Sequence, residues 1–151
     1  MPGRKKGFAE RHKVAVLGGI RLFAACNAEQ LAELARLFDE IERPAGSVLV
    51  REGEPGSEFY VIVEGSASAS IGGTHVNTMG AGDFFGEMAL LDCAPRSATV
   101  VATSDVSLLV LDKSAFSSFV DAAPSIAPRM MRTIAERLRH AEAMPAGASS
   151  H

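Results

Sequence analysis

The 151-residue sequence has no tryptophan, one tyrosine and two cysteines. Two cysteines, Cys26 and Cys93, are too few for a disulfide framework, and both read as reduced thiols of a cytoplasmic protein. So little aromatic surface leaves almost nothing on which single-stranded nucleic acid could stack. Basic charge is not in excess either. Lys and Arg number 15 against 18 acidic residues, a net −3, which excludes an overall electrostatic case for nucleic acid. One local exception is Arg4, Lys5, Lys6, Arg11 and Lys13 against Glu10 alone, and a solvated N-terminal tail accounts for it. No apolar run reaches the length of a membrane span. Residues 14–20, followed by Phe23-Ala24-Ala25-Cys26, have the outline of a cleaved leader. Arg21 cuts that run to seven residues, and the same residues suit a globular helix better.

What is present is an apolar fraction of 47%, enough for a packed core in a chain of one-domain length. Residues 9–17 read as a short helix stopped by Gly18-Gly19. Asn27 is a candidate N-cap, followed by Glu29 and Gln30. Leu31, Leu34, Ala35 and Phe38 then recur at helical spacing, which predicts a helix over 28–37. After Glu42 the period changes. Short β-rich runs at 47–51, 59–63, 66–71, 75–79, 98–102 and 106–111 are separated by glycine-containing or polar turns. This pattern predicts an antiparallel sandwich or jelly roll. Helix returns after Asp112, a candidate cap for a segment carrying Phe116, Phe119 and Val120. Pro124 ends it. A last helix carries Ile126, Met130, Met131, Ile134, Ala135 and Leu138 as one stripe, and the methionines read as packing. The expected division is a partly mobile extension with a possible short helix over 1–19, a domain over 20–142 and a disordered tail over 143–151.

A jelly roll also serves metal enzymes of the cupin type, which gather several histidines and a carboxylate about one ion. Of His12, His75, His140 and His151 only His75 falls among the strands, and no Ser/His/Asp or Cys/His grouping is apparent. Neither an enzyme, a metal nor a cofactor is expected.

The chemistry concentrates in 84–100. A glycine-led turn (Gly86), a carboxylate (Glu87), a short apolar helix from Met88 and a guanidinium (Arg96) lie within about a dozen residues. That set suits a ligand with a sugar hydroxyl and a phosphate. Arg pairs two phosphate oxygens with its rigid fork, and a carboxylate accepts from a hydroxyl. Gly86 admits close approach of the main chain, while the amides of Met88 and Ala89 at the helix start offer donors to an anion. Ser97 adds a hydroxyl. A surface salt bridge between Glu87 and Arg96 is the bland alternative, but the flanking residues are in register as well.

Phe85-Gly86-Glu87-x-Ala89-Leu90-x, three residues, then Pro95-Arg96-Ser97-Ala98 resembles the phosphate-binding cassette of cyclic nucleotide-binding domains. Leu22-Phe23, Leu31, Leu34, Gly46, Gly53-Glu54, the run Phe59 to Gly65 and Gly82-Asp83-Phe84 extend the likeness over roughly 20–142. The resemblance implies an antiparallel β jelly-roll barrel (a double-stranded β-helix), mainly β, with N-terminal helices and C-terminal lid helices. It implies that Arg96 binds the exocyclic phosphate oxygens, that Glu87 accepts from the ribose 2′-hydroxyl and that Gly86 and Ala89 offer backbone groups. Val76 and Asn77 would lie beside the base, with Ile134, Arg137, Leu138 or Ala141 on the lid. Family members preferring cGMP often carry Thr where Ser97 stands, so cAMP is the favoured ligand and cGMP the second. Relatives of the bacterial catabolite activator group carry a polar residue on the long helix that reads the adenine amino group, and the nearest equivalents here are Ala141 and Glu142. Those relatives continue into a helix-turn-helix domain, whereas a stand-alone module is expected here. It would act on an unidentified effector protein, without direct nucleic acid binding, as a monomer or weak homodimer. The alternative is a degenerate interaction module of the same fold that binds no nucleotide.

Overall fold

The computed structural model describes residues 10–90 and 95–123, with 128, 129, 132 and 135. In chain order these form α1 (Glu10–Gly18), a 3₁₀ turn at Arg21–Phe23, α2 (Ala28–Leu37), β1 (Asp39–Arg43), β2 (Val48–Val50), β3 (Glu58–Glu64), β4 (Ala67–Ile71), β5 (Thr74–Met79), β6 (Phe84–Phe85), a 3₁₀ turn at Glu87–Leu90, β7 (Thr99–Ala102), β8 (Val106–Asp112) and α3 (Lys113–Ala122). One antiparallel sheet has the order β1-β8-β3-β6 and the other β2-β7-β4-β5. Together they make a jelly-roll-like sandwich with helices against one side.

Two continuous apolar runs explain this layering. In β3, five consecutive residues from Phe59 to Val63 are buried, and β8 is buried from Val106 to Leu111. A strand with one wet face alternates, so uninterrupted burial means that both faces of the β3–β8 pair are covered. Phe59, Val61, Val63, Leu109 and Leu111 pack with Leu17, Leu22, Phe23, Leu34, Phe116 and Phe119 from the helical side. Tyr60, Ile62, Leu108 and Val110 point the other way, onto Ala67, Ala69, Met79, Val100 and Ala102. The second sheet has only one covered face and alternates accordingly, as in β4 with Ala67 and Ala69 buried.

Helix α2 starts and ends where the sequence predicts it. Asn27 Oδ1 accepts from the Gln30 amide at 2.8 Å, and Gln30 Oε1 accepts from the Asn27 amide at 2.9 Å, a complete capping box. Asp112 caps α3 through the Ala115 amide at 2.9 Å. Strand β1 adds to the β-rich runs read from the sequence. Phe38 continues the helical spacing, yet it is the extended C-cap residue of α2. Asp39–Arg43 pairs residue for residue with β8, and that long-range ladder overrides the local pattern. Helix α1 packs on α2, buries Leu17 completely and ties Lys13 Nζ to Glu40 Oε2 at 3.3 Å.

Candidate functional site

Two chain segments far apart in sequence are stitched together at one end of β3. Gly53 donates its amide to the Arg96 carbonyl at 2.8 Å, and Arg96 donates its amide to the Glu54 carbonyl at 2.9 Å. Pro55 and Pro95 form the bridge between them. Proline is tolerated at this edge because neither residue needs a donor there. Arg96 therefore has its backbone fixed before its side chain is considered.

The side chain is held as well. Arg96 Nη1 donates to the Glu58 carbonyl at 2.9 Å, and Cζ lies 5.8 Å from the centre of the Tyr60 ring. Tyr60 stacks on Phe85 with ring centroids 4.8 Å apart, nearly parallel. Its hydroxyl donates to Glu58 Oε1 at 2.9 Å. Burial, then the Glu58 hydrogen bond and charge, push the Tyr60 phenol up to about 12, against a smaller lowering by Arg96 and Arg43. Tyr60 is neutral at any physiological pH and is a fixed donor to Glu58.

Gly86 follows Phe85 with φ +84°, a conformation that glycine adopts without strain. A Cβ there would stand 2.7 Å from Arg96 Nη1 and 2.8 Å from the Glu58 carbonyl. The glycine is thus needed twice, for its turn and for the approach of the guanidinium. Glu87 opens the following 3₁₀ turn and is 7% exposed, a carboxylate engaged with neighbouring groups rather than displayed to solvent. This turn packs between β3 and α3.

The sequence places Gly86, Glu87, Met88, Ala89, Arg96 and Ser97 in one site, and the structure brings Gly86 and Arg96 into contact. Glu87 and the Met88 backbone lie directly after that contact on the chain. Ala89 is buried, and its amide donates to the Gly86 carbonyl at 3.0 Å. That donor is spent inside the turn instead of facing outward, a difference from the expectation. It arises because the segment is a tight 3₁₀ turn over Glu87–Leu90 rather than an α-helix from Met88. Ser97 is exposed. Val76 and Asn77 lie on β5, where Val76 packs against the cluster containing Tyr60 and Phe85 and Asn77 pairs with Ala69. Ile134, Arg137, Leu138 and Ala141 lie outside the described residues, as does Cys93. The half-buried Cys26 carries a free thiol pushed up by burial.

Sequence reasoning missed Gly56, Glu58 and Tyr60. The carbonyls of Glu54 and Glu58 hold Arg96. Pro55-Gly56 beside Pro95-Arg96 was the available signal, but only a pairing across 40 residues gives it meaning.

The family described as "Cyclic nucleotide-binding domain" matches residues 40–123. A cyclic nucleotide-gated potassium channel of Rhizobium etli is 38% identical over 122 residues, which are 81% of this chain and 34% of the channel. The N-terminal domain of a transcriptional regulator from Streptomyces coelicolor superposes with a TM-score of 0.76 at 33% identity, covering 86% of this chain and 97% of that one. The regulatory domain of Toxoplasma gondii PKA, solved with cAMP, gives 0.68 at 25% identity over 82% of this chain and 50% of its own. The chain thus spans about a third of the channel's length.

Proposed function

The chain belongs to the cyclic nucleotide-binding domain family, and we propose that it is a cytoplasmic regulatory module that binds cAMP in preference to cGMP without transforming it. Arg96 pairs the exocyclic phosphate oxygens and Glu87 accepts from the ribose 2′-hydroxyl. Gly86 lets the chain approach the phosphate, the Met88 amide supplies a donor, Ala89 lines the turn, and Ser97 adds its hydroxyl. Val76 and Asn77 flank the base. The C-terminal helix, through Ile134, Arg137, Leu138 or Ala141, closes over it. Closure is the output, sensed by an effector protein or a second copy of the chain. A ligand that favours the closed arrangement about 100-fold supplies roughly 2.7 kcal/mol to that shift. Among the described residues no helix is long and apolar enough to cross a membrane.

The observation that carries this reading is the guanidinium of Arg96, fixed by Glu58 and lying against Gly86, one residue before a buried carboxylate. A cation immobilised in advance loses little entropy on meeting an anion. Titration calorimetry with cAMP and with cGMP tests it. The expected result is saturable binding of both with cAMP tighter, and loss of at least about 100-fold in Arg96→Ala, whose guanidinium makes two charge-assisted bonds. Binding of neither nucleotide by the wild type would favour a degenerate interaction module instead.

A further inference from the structure

We propose that Gly56 is a positioning residue for Arg96: its missing side chain opens the slot in which the guanidinium lies, and so tunes affinity for the ligand. This rests on the assignment of Arg96 as the phosphate-binding residue. A Cβ on Gly56 would run into Nε and Cζ of Arg96 and stand 2.5 Å from Nη2.

Two glycines of different kinds meet this guanidinium. At Gly86 the φ of +84° already favours glycine, so a side chain there would strain the backbone as well as meet Arg96. Gly56 has no positive φ. Its backbone conformation gives no reason for glycine, and the space does. Among the described residues, the other glycines without positive φ are Gly18, Gly19 and Gly80, where a Cβ would meet nothing nearer than 3.5 Å. Gly56 alone combines an ordinary φ with a Cβ position that is already filled.

The three atoms nearest to that Cβ all belong to the far end of one side chain, so the Arg96 guanidinium is the first group a methyl at 56 displaces. Moving the guanidinium breaks its 2.9 Å bond to the Glu58 carbonyl and takes it off Tyr60 and Gly86. The charge stays on the protein, and its direction is lost. The Pro55–Pro95 bridge and the two amide bonds beside it involve backbone only and are left in place.

The test uses Gly56→Ala in the full chain. Titration with cAMP is expected to give roughly ten- to a hundredfold weaker binding, the worth of one misdirected charge-assisted bond, with the ligand-free protein still folded and melting in one cooperative transition. A merely structural glycine would leave Arg96 where it was. The Arg96 Nε–H resonance in ligand-free protein, identified by its absence from Arg96→Lys, reports this directly and is expected to shift in Gly56→Ala. An unmoved resonance, or wild-type affinity in the variant, overturns the proposal. Wild type that binds neither cAMP nor cGMP would overturn the phosphate assignment and the effect on affinity with it. The resonance would still show whether the slot exists.

Discussion

At the scale of single residues, Tyr60 and Glu87 carry the sharpest expectations. Tyr60 is the chain's one tyrosine, so tyrosinate absorbance in an alkaline titration reads that group alone. Its midpoint is expected near 12 in the folded protein and near 10 after denaturation. The sign follows from the neutral form being the one the fold accepts. The stabilisation is complete below pH 10 and disappears as pH rises through about 12. A gap of this size corresponds to about 2–3 kcal/mol, and Tyr60→Phe should flatten the stability profile across that window. A midpoint near 10 in folded protein would show that the hydroxyl is not buried against Glu58. For Glu87 the informative change is Glu87→Gln, which keeps the shape and removes the charge. Affinity for cAMP should fall about five- to tenfold, the difference between a charge-assisted and a neutral hydrogen bond. With 2′-deoxy-cAMP, wild type and variant should bind alike. A loss of equal size with the deoxy ligand would place Glu87 away from the ribose.

At the scale of elements, legibility in the sequence followed how local each determinant is. Helix α2 is legible because Asn27 and Gln30 satisfy each other within one turn. Replacing Asn27 by Ala should cost about 1 kcal/mol of stability, measured by denaturant unfolding, with little effect on ligand affinity because the cap lies on the helical side of the fold. An unchanged midpoint would mean that α2 is held by packing of Leu34 and Ala35 alone. Strand β1 escaped because Asp-Glu-Ile-Glu-Arg has the composition of a solvated helix end, and only β8 makes it a strand. Strand β6 is two residues long, Phe84–Phe85, and is defined by its pairing with Val61 and Tyr60. The same logic divides the site. Gly86, Glu87 and Arg96 are readable from spacing within one short segment. Gly56, Glu58 and Tyr60 reach it through the Pro55–Pro95 bridge, which no local pattern encodes.

At the scale of the whole molecule, the site lies where three segments distant in sequence meet. Segment 53–60 comes from the turn into β3, segment 84–90 from the edge of the same sheet, and residues 95–97 from the lead into β7 of the other sheet. A ligand gripped by Arg96 and Glu87 would tie all three, and it would bind the folded chain only, since the unfolded chain does not bring them together. Linkage then fixes the size of the effect. At 100 times the dissociation constant cAMP should add about 2.7 kcal/mol, which for a chain of this length raises the melting temperature by roughly 5–10 °C. The rise should grow with the logarithm of ligand concentration and be smaller for cGMP at equal concentration. Buffer-matched AMP, which carries a dianionic monoester in place of the cyclic diester, should give less because the slot around Arg96 is shaped for one fixed guanidinium direction. Equal shifts for AMP and cAMP would reduce the site to a general anion contact. No shift with either cyclic nucleotide would leave the fold intact as an interaction module whose guanidinium serves only to hold the Glu58 carbonyl beside Tyr60 and Gly86.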